Sequence, residues 1–250
     1  MQSNFRWPRF ANFFAKVLDL APGGEWTPKA CVPRFFVALI IAYQDEESNL
    51  RDFLLHMHPF LQAQNIHYRI YVIEQTLKKR FNTGALLNVG FIEARKDALY
   101  PCFIFHDINV LPKNLNNIYA CSEAPRHILT MITADDGPKL TDEKSYVGAI
   151  SLLSSHFELI NGFSNEFYKW GSSDKDFYHR ILNAGLQPLR FNHNTSSYYS
   201  LPHKLPQRNP NADDFHQIEG KAFHRGLNTM NYTVISHSDE SLFTRIIVDL

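Results

Sequence analysis

Phe35-Phe36-Val37-Ala38-Leu39-Ile40-Ile41-Ala42-Tyr43 is an unbroken apolar run rich in β-branched residues, followed by polar residues from Gln44 to Asn49. A segment with no polar face predicts a strand buried on both sides, at the centre of a sheet. Downstream, Leu50, Phe53, Leu54, Met57 and Leu61 recur at helical spacing and predict a helix that closes a first βα unit. Tyr68 to Ile73 predicts the next strand. Leu86, Leu87, Val89, Gly90, Phe91 and Ala94 predict a second buried helix, and Cys102 to Phe105 a third strand. Strand, helix, strand, helix, strand is the nucleotide-binding half of an α/β fold with a mostly parallel central sheet flanked by helices. Beyond Pro112 the pattern loosens. Ser151 to Leu153 with Phe157, Leu159 and Ile160 predicts a strand or short helix ending at Asn161-Gly162, and Asp174 to Leu182 predicts a helix. Asn192 to Asp214, with Pro202, Pro206 and Pro210, reads as a long loop, and Phe243 to Leu250 as a closing strand.

Bulk properties narrow the functions available to such a fold. With 250 residues, 44% of them hydrophobic, the chain can bury a core of its own as a single domain. Lysine plus arginine and aspartate plus glutamate each number 25, so no global field draws nucleic acid, and recognition has to be local. The longest apolar run, Phe35 to Ile41, is far short of the roughly 20 residues that span a bilayer, and Met1 to Leu20 lacks an uninterrupted apolar stretch. The expectation is therefore a chain with no membrane segment and no visible signal peptide. Of the cysteines Cys31, Cys102 and Cys121, one stays unpaired under any bonding scheme. Cys102 and Cys121 are able to close the loop between them, and three reduced thiols remain an equal alternative. Sequons at Asn194 and Asn231 lean toward a lumenal setting.

Ligands of open α/β sheets gather beyond the carboxyl ends of the strands, which here are Tyr43 to Glu46 and His106 to Asn109. Asp107 and Asn109 leave a buried strand directly, placing oxygens where a divalent metal can bridge nucleotide phosphates; the same residues also favour a plain turn. Trp170-Gly171-Ser172-Ser173-Asp174-Lys175-Asp176 precedes a helix, so its serines and acids can cap that helix, or one carboxylate can act as a general base beside an aromatic platform. His203 sits in the proline-punctuated loop, where it is either solvated or the nitrogen ligand of a mixed metal site. No HExxH, GxSxG, paired CxxC or P-loop motif is present.

In this order the pieces resemble the β1,4-galactosyltransferase family of inverting, nucleotide-sugar-dependent enzymes. The likeness runs over nearly the whole chain from Pro22 onward and is carried by Gly23 to Val32, Phe81 to Phe91, Ile160-Asn161-Gly162-Phe163 and Arg225-Gly226-Leu227-Asn228. It implies a GT-A type domain over 22–250 behind an amino-terminal extension over 1–21. The domain would work in the Golgi lumen on UDP-galactose or UDP-N-acetylgalactosamine, usually with manganese. A Cys102 to Cys121 disulfide is implied as well. Asp107-Ile108-Asn109 resembles the metal-binding Asp-x-Asp, with the second carboxylate now an amide, and Ser200-Leu201-Pro202-His203 resembles a Met-x-x-His that keeps only the histidine. An amide is a neutral ligand, so metal affinity should fall. Trp170 matches a tryptophan that packs over the sugars and Asp174 the base toward the acceptor hydroxyl, while Ser173 and Lys175 replace acids that help hold the acceptor. Ala42-Tyr43-Gln44-Asp45-Glu46 resembles Pro-Phe-Arg-x-Arg, so both arginines are gone and Glu46 puts an acid in place of one. Phe81 keeps an aromatic near the uracil position, and Thr83 stands where a further arginine would be.

The resemblance therefore assigns Asp174 to catalysis; Tyr43, Phe81, Asp107, Ile108 and Trp170 to donor binding; Trp170 and Asp174 to the acceptor; and Asp107, Asn109 and His203 to manganese. Its partners are a UDP-sugar donor and a glycan acceptor, with transfer of Gal or GalNAc to a sugar hydroxyl in β1,4 linkage. The alternative is an inactive family member serving as a carbohydrate-binding or partner-stabilising module, because each unreplaced phosphate-facing arginine costs roughly 1.5 to 3 kcal/mol. New basic residues such as Lys78, Lys79, Arg80 or Lys175 folding into the vacated pocket would favour the enzyme.

Overall fold

The computed structural model describes residues 8–144, 146, 148–168, 173–203 and 224–250. The opening run forms β1 (Phe36–Tyr43), hydrogen-bonded in parallel to β2 (His67–Gln75) on one side and β3 (Cys102–His106) on the other. Strand side chains alternate between faces, and the core divides accordingly. Val37, Leu39, Ile41 and Tyr43 face one apolar cluster, and Ala38 and Ile40 face a second. The first cluster is covered by α1 (Pro8–Val17) and α2 (Glu47–Ala63), whose Leu50, Phe53, Leu54, Met57 and Leu61 are buried. The second is covered by α3 (Thr83–Asp97), which packs so closely that a Cβ on Gly90 would lie 2.2 Å from Ile40 Cγ2.

Beyond β3 come β4 (Val110–Pro112), β5 (Arg126–His127), β6 (Met131–Ala134), β7 (Gly137–Leu140) and β8 (Ala149–Leu153). They are followed by α4 (Ser154–Leu159), α5 (Ser173–Asn183), β9 (Leu189–Arg190), β10 (Ser197–Ser200), β11 (Thr233–Asp239) and β12 (Thr244–Asp249). The large sheet has the order β11-β12-β2-β1-β3-β8-β5-β9, with a parallel centre from β12 to β3 and antiparallel pairing of β11 to β12 and of β8 to both β3 and β5. The strand and the short helix expected around Ser151 to Ile160 are both present, as β8 and α4, ending where Asn161 (φ 60°) and Gly162 (φ 64°) turn left-handed.

A smaller sheet, β4-β10-β6-β7, corrects the long loop expected from Asn192 to Asp214. β10 lies inside that range, antiparallel to β4 and parallel to β6; residues 204–214 lie outside the described residues. A four-residue strand paired to partners more than sixty residues away leaves no periodic signal of its own. The chain is stapled by a Cys102–Cys121 disulfide with a Cα–Cα distance of 5.4 Å, and Cys31 is free and exposed. Among the described residues, no helix is long and apolar enough to cross a membrane.

Candidate active site

The site is built where β1 and β3 end. Asp107 follows β3 directly; its backbone N–H donates to Gly148 O (2.7 Å) and its Oδ1 accepts from the Asn109 backbone N–H (2.9 Å). The turn and ligand readings of this residue are compatible, because one carboxylate oxygen makes the turn while the side chain stays open to the cleft. Behind it, His106 is fully enclosed, with Nδ1 at 2.8 Å from Asp107 O and Nε2 at 2.8 Å from Tyr119 Oη. Since a carbonyl only accepts, Nδ1 carries the proton and Tyr119 donates to Nε2. Burial lowers the His106 pKa to about 4, so it stays neutral. Tyr119 in turn meets Tyr198 (2.8 Å) on β10. This buried relay fixes the Asp107 backbone and went unread in the sequence.

β10 delivers His203. Ser200 pairs with Val110, and Leu201 N donates to Asn109 O (2.8 Å), so the chain leaving β10 runs past the Asp107–Asn109 corner. His203 Nδ1 lies 2.9 Å from Leu201 O, which places its proton on Nδ1 and leaves Nε2 with a free lone pair, the tautomer a metal ligand needs. Asn49 on α2 completes the corner: its Nδ2 donates to Asn109 Oδ1 (2.5 Å) and to Pro202 O (3.0 Å). Because Pro202 O can only accept, the Asn49 amide is pinned, and so is Asn109, whose Nδ2 is left to face the carboxylates of Glu46 and Asp107.

Asp174, the second residue of α5, lies near enough to Asp107 to feel its charge. Its pKa is pushed up to about 7, first by desolvation and then by the negative charge of Asp107, with a weak hydrogen bond from Ser173 Oγ (3.5 Å) opposing. Desolvation likewise raises Asp107 and Glu46, while hydrogen bonds from Asn109 and, to a lesser degree, the nearby His203 oppose it in both. Glu46, Asp107, Asp174 and His203 therefore share one electrostatic environment. Among the described residues, no three His, Cys, Asp or Glu side chains are gathered closely enough to hold a metal ion as they stand.

The remaining expected residues are placed as follows. Tyr43 (2% exposed) and Ile108 (3% exposed) have their side chains in the core beneath α2. Phe81 is half-buried against the α3-side core, beside Asn82, whose side chain caps α3 by accepting from Ala85 N (2.9 Å). Trp170 lies outside the described residues. Lys78 pairs with Asp249 (2.7 Å) and Lys79 reaches the Leu250 carbonyl, so these two cations turn toward the end of β12. Arg80 is exposed and Lys175 half-buried on α5.

A buried clamp also explains the fragments around Ile160 and Arg225. Asp176 Oδ2 accepts from Arg180 Nε (2.6 Å), both residues are enclosed, and Arg180 also donates to Arg225 O (2.8 Å). Asn88 donates to Phe163 O (2.8 Å) and Asn165 Oδ1 (2.8 Å) and accepts from Phe163 N (2.9 Å), while Asn165 holds Gly226 O (2.8 Å). A Cβ on Gly226 would sit 1.9 Å from Asn161 O, so the glycine there is a packing requirement.

Comparison with known proteins bears on the family and the fold. The family model described as the N-terminal region of glycosyl transferase group 7 matches residues 4–122, and that described as the N-terminal domain of galactosyltransferase matches residues 130–204. The chain belongs to the β1,4-galactosyltransferase family. Human β1,4-galactosyltransferase 6 is 42% identical over 191 residues, 76% of this chain and 50% of that protein. Chinese hamster (Cricetulus griseus) β1,4-galactosyltransferase 2 is 38% identical over 234 residues, 91% of this chain and 63% of that protein. The chain thus spans between 50% and 63% of the length of these relatives. The catalytic domain of Drosophila β1,4-galactosyltransferase 7 in complex with xylobiose superposes with a TM-score of 0.73 at 26% identity, covering 86% of this chain and 93% of that one. A mutant of the same enzyme, solved with manganese, UDP-Gal and xylobiose, superposes with a TM-score of 0.70.

Proposed function

We propose that the chain is an inverting glycosyltransferase that moves galactose or N-acetylgalactosamine from a UDP-sugar to a sugar hydroxyl of a glycan acceptor in β1,4 linkage, in the Golgi lumen. The observation that carries this reading is Asp174: a cleft carboxylate with a pKa near 7, set beside Asp107 at the carboxyl edge of a parallel sheet. Asp174 takes the proton of the acceptor hydroxyl as that oxygen bonds to the anomeric carbon. The carbon–oxygen bond to UDP breaks on the opposite face, and UDP leaves with the electron pair. Asp107 and His203, with Asn109 at the same corner, would hold a divalent cation such as manganese. Their oxygen and imidazole donors fit that ion, and the Nδ1–H tautomer of His203 leaves Nε2 available to it. When bound, the cation supplies positive charge to the departing diphosphate. Phe81 and the strand ends at Tyr43 and Ile108 would flank the nucleotide, and Trp170 the sugars.

The competing reading, a binding or partner-stabilising module without catalysis, is favoured by the acid at Glu46 and by Lys78 and Lys79 being engaged at the end of β12. Calorimetry with UDP-galactose and UDP-N-acetylgalactosamine, with and without manganese, separates the two. Binding followed by transfer that Asp174→Asn abolishes supports the enzyme; no heat with either donor removes it.

A further inference from the structure

The two outer strands of the large sheet differ. β9, at one edge, is two residues long and too short to template a further strand. β11, at the other, runs for seven residues, and among the described residues no strand pairs with its outer side. Val234 (37% exposed) and Ile235 (55% exposed) stand on it, no lysine or proline interrupts it, and its one irregularity is a bulge between Val234 and Ser236. An edge of this kind pairs with other chains unless something covers it. The chain enters β11 through Asn231-Tyr232-Thr233, a sequon for N-linked glycosylation. Tyr232 packs against the α3-side core, and its hydroxyl donates to Glu93 Oε1. Side chains alternate along extended backbone, so the inward anchoring of Tyr232 leaves Asn231 and Thr233 on the outer face, where both are exposed. The amide that accepts the sugar and the hydroxyl that the sequon requires thus share one open side. The other sequon, Asn194-Thr195-Ser196, is built differently. It is wound into a turn on Asn192, whose Oδ1 accepts from Thr195 N (3.0 Å) and whose carbonyl accepts from Ser196 N (3.0 Å), and the Ser196 hydroxyl is buried.

We propose that Asn231 carries an N-linked glycan and that this glycan covers the open β11 edge of the large sheet. The proposal rests on the lumenal setting of the transferase reading, because the sugar donor, a lipid-linked oligosaccharide diphosphate, is used on the lumenal side of the secretory pathway. In the transfer, the Asn231 amide nitrogen bonds to the anomeric carbon of that donor. The carbon–oxygen bond to the lipid diphosphate breaks, the diphosphate leaves with the electron pair, and the proton lost by the amide passes to a base of the oligosaccharide-transferring enzyme. A bulky, hydrated glycan anchored just ahead of Thr233 occupies the space that a pairing strand would need, a role that charged residues fill on other edge strands. β12 and β2 lie between β11 and β1, so the glycan stands apart from the strand ends that build the candidate active site.

The test is peptide mass spectrometry of the full chain isolated from its own cells, before and after an amidase that releases N-glycans and turns the acceptor asparagine into aspartate. Asn231 should carry the glycan, and a bare Asn231 overturns the proposal. The same chain directed into a secretory pathway by a cleaved leader then locates the failure: a glycan there places it in the lumenal reading, and a bare Asn231 places it in the site itself. Asn231→Gln and Thr233→Ala should each lose the glycan, Thr233→Ser should keep it, and Asn194→Gln should leave it in place. Retention of the glycan at Asn231 in Thr233→Ala would overturn the sequon as its cause. For the covering role, enzymatic removal of the glycan should raise the aggregated fraction in size-exclusion chromatography several-fold, and adding Ile235→Lys to Asn231→Gln should reverse the rise by charging the edge. Equal aggregation with and without the glycan overturns that role. Donor calorimetry reads out separately: no heat with either UDP-sugar removes the transferase reading, whereas the modification of Asn231 is decided by the peptide masses alone.

Discussion

The clamp of Asn88, Asn165, Asp176 and Arg180 and the cleft of Glu46, Asp107, Asn109 and Asp174 are both polar clusters set into an apolar fold. In the clamp, charges are paired and amides make reciprocal bonds: Asp176 holds Arg180, and Asn88 both donates to and accepts from Phe163. In the cleft, acids face one another, Glu46 Oε2 has no partner, and desolvation together with the charge of Asp107 lifts Asp174 to about 7. Each cluster leaves one buried acid oxygen without a partner, Asp176 Oδ1 and Glu46 Oε2. Asp176 is offset by Arg180, whereas Asp174 stands beside the like charge of Asp107, and a cluster of that second kind is poised for a ligand or a proton. The difference separates Asp176 from Asp174, two acids of the same first helical turn that capping patterns alone do not tell apart.

The largest effect should come from the cleft. Asp174→Asn keeps shape and removes basicity, and should lower transfer by about 10²- to 10⁴-fold with UDP-sugar affinity intact. Unimpaired transfer would dismiss Asp174 as the base. In the clamp, Arg180→Met should cost about 3–5 kcal/mol of stability by leaving Asp176 buried and unpaired. Urea denaturation measures this, and a loss below about 1 kcal/mol would show that the pair does not clamp. Away from both regions, Cys102→Ser should cost about 3 kcal/mol by opening the loop of nineteen residues to Cys121. It should leave the pH profile of transfer unchanged, and a displaced profile would tie the disulfide to the cleft. The mildest test is pH itself. A base must be ionised, so kcat/KM should climb about tenfold per unit up to near pH 7 and level off above it, the direction set by the raised Asp174 pKa. A profile flat between about pH 5 and about pH 8 would remove that carboxylate from the rate-determining proton transfer.

Local patterns explain why the first half of the fold was legible. β1 is apolar at every position because sheet and helices cover both its faces, and α2 shows its buried stripe at helical spacing. The site was legible where residues leave such elements directly, as Asp107 leaves β3 and Asp174 opens α5. β11 was missed because its mostly exposed residues lack clean alternation, and β10 because it is short and its partners are distant. Asp176 was legible only as an acid able to cap its helix; its enclosure with Arg180 is what makes the pair a clamp.

By itself the sequence determined the α/β scaffold, the two strand ends at which the candidate site was sought, and the family. The structure bore out the Cys102–Cys121 pairing that the family resemblance implied. Tertiary structure alone decided the chemistry of the corner. Whether the Asn109 oxygen is free depends on Asn49, sixty residues away, and on a carbonyl at Pro202. Whether the chain that carries His203 runs past the Asp107–Asn109 corner depends on β10 pairing with β4. Whether Glu46 caps its helix was also decided there: its side chain makes no capping bond, and one carboxylate oxygen is buried without a donor. Side-chain periodicity is a local quantity that the chain carries with it, whereas hydrogen-bond supply and desolvation arise only when distant segments close around a group.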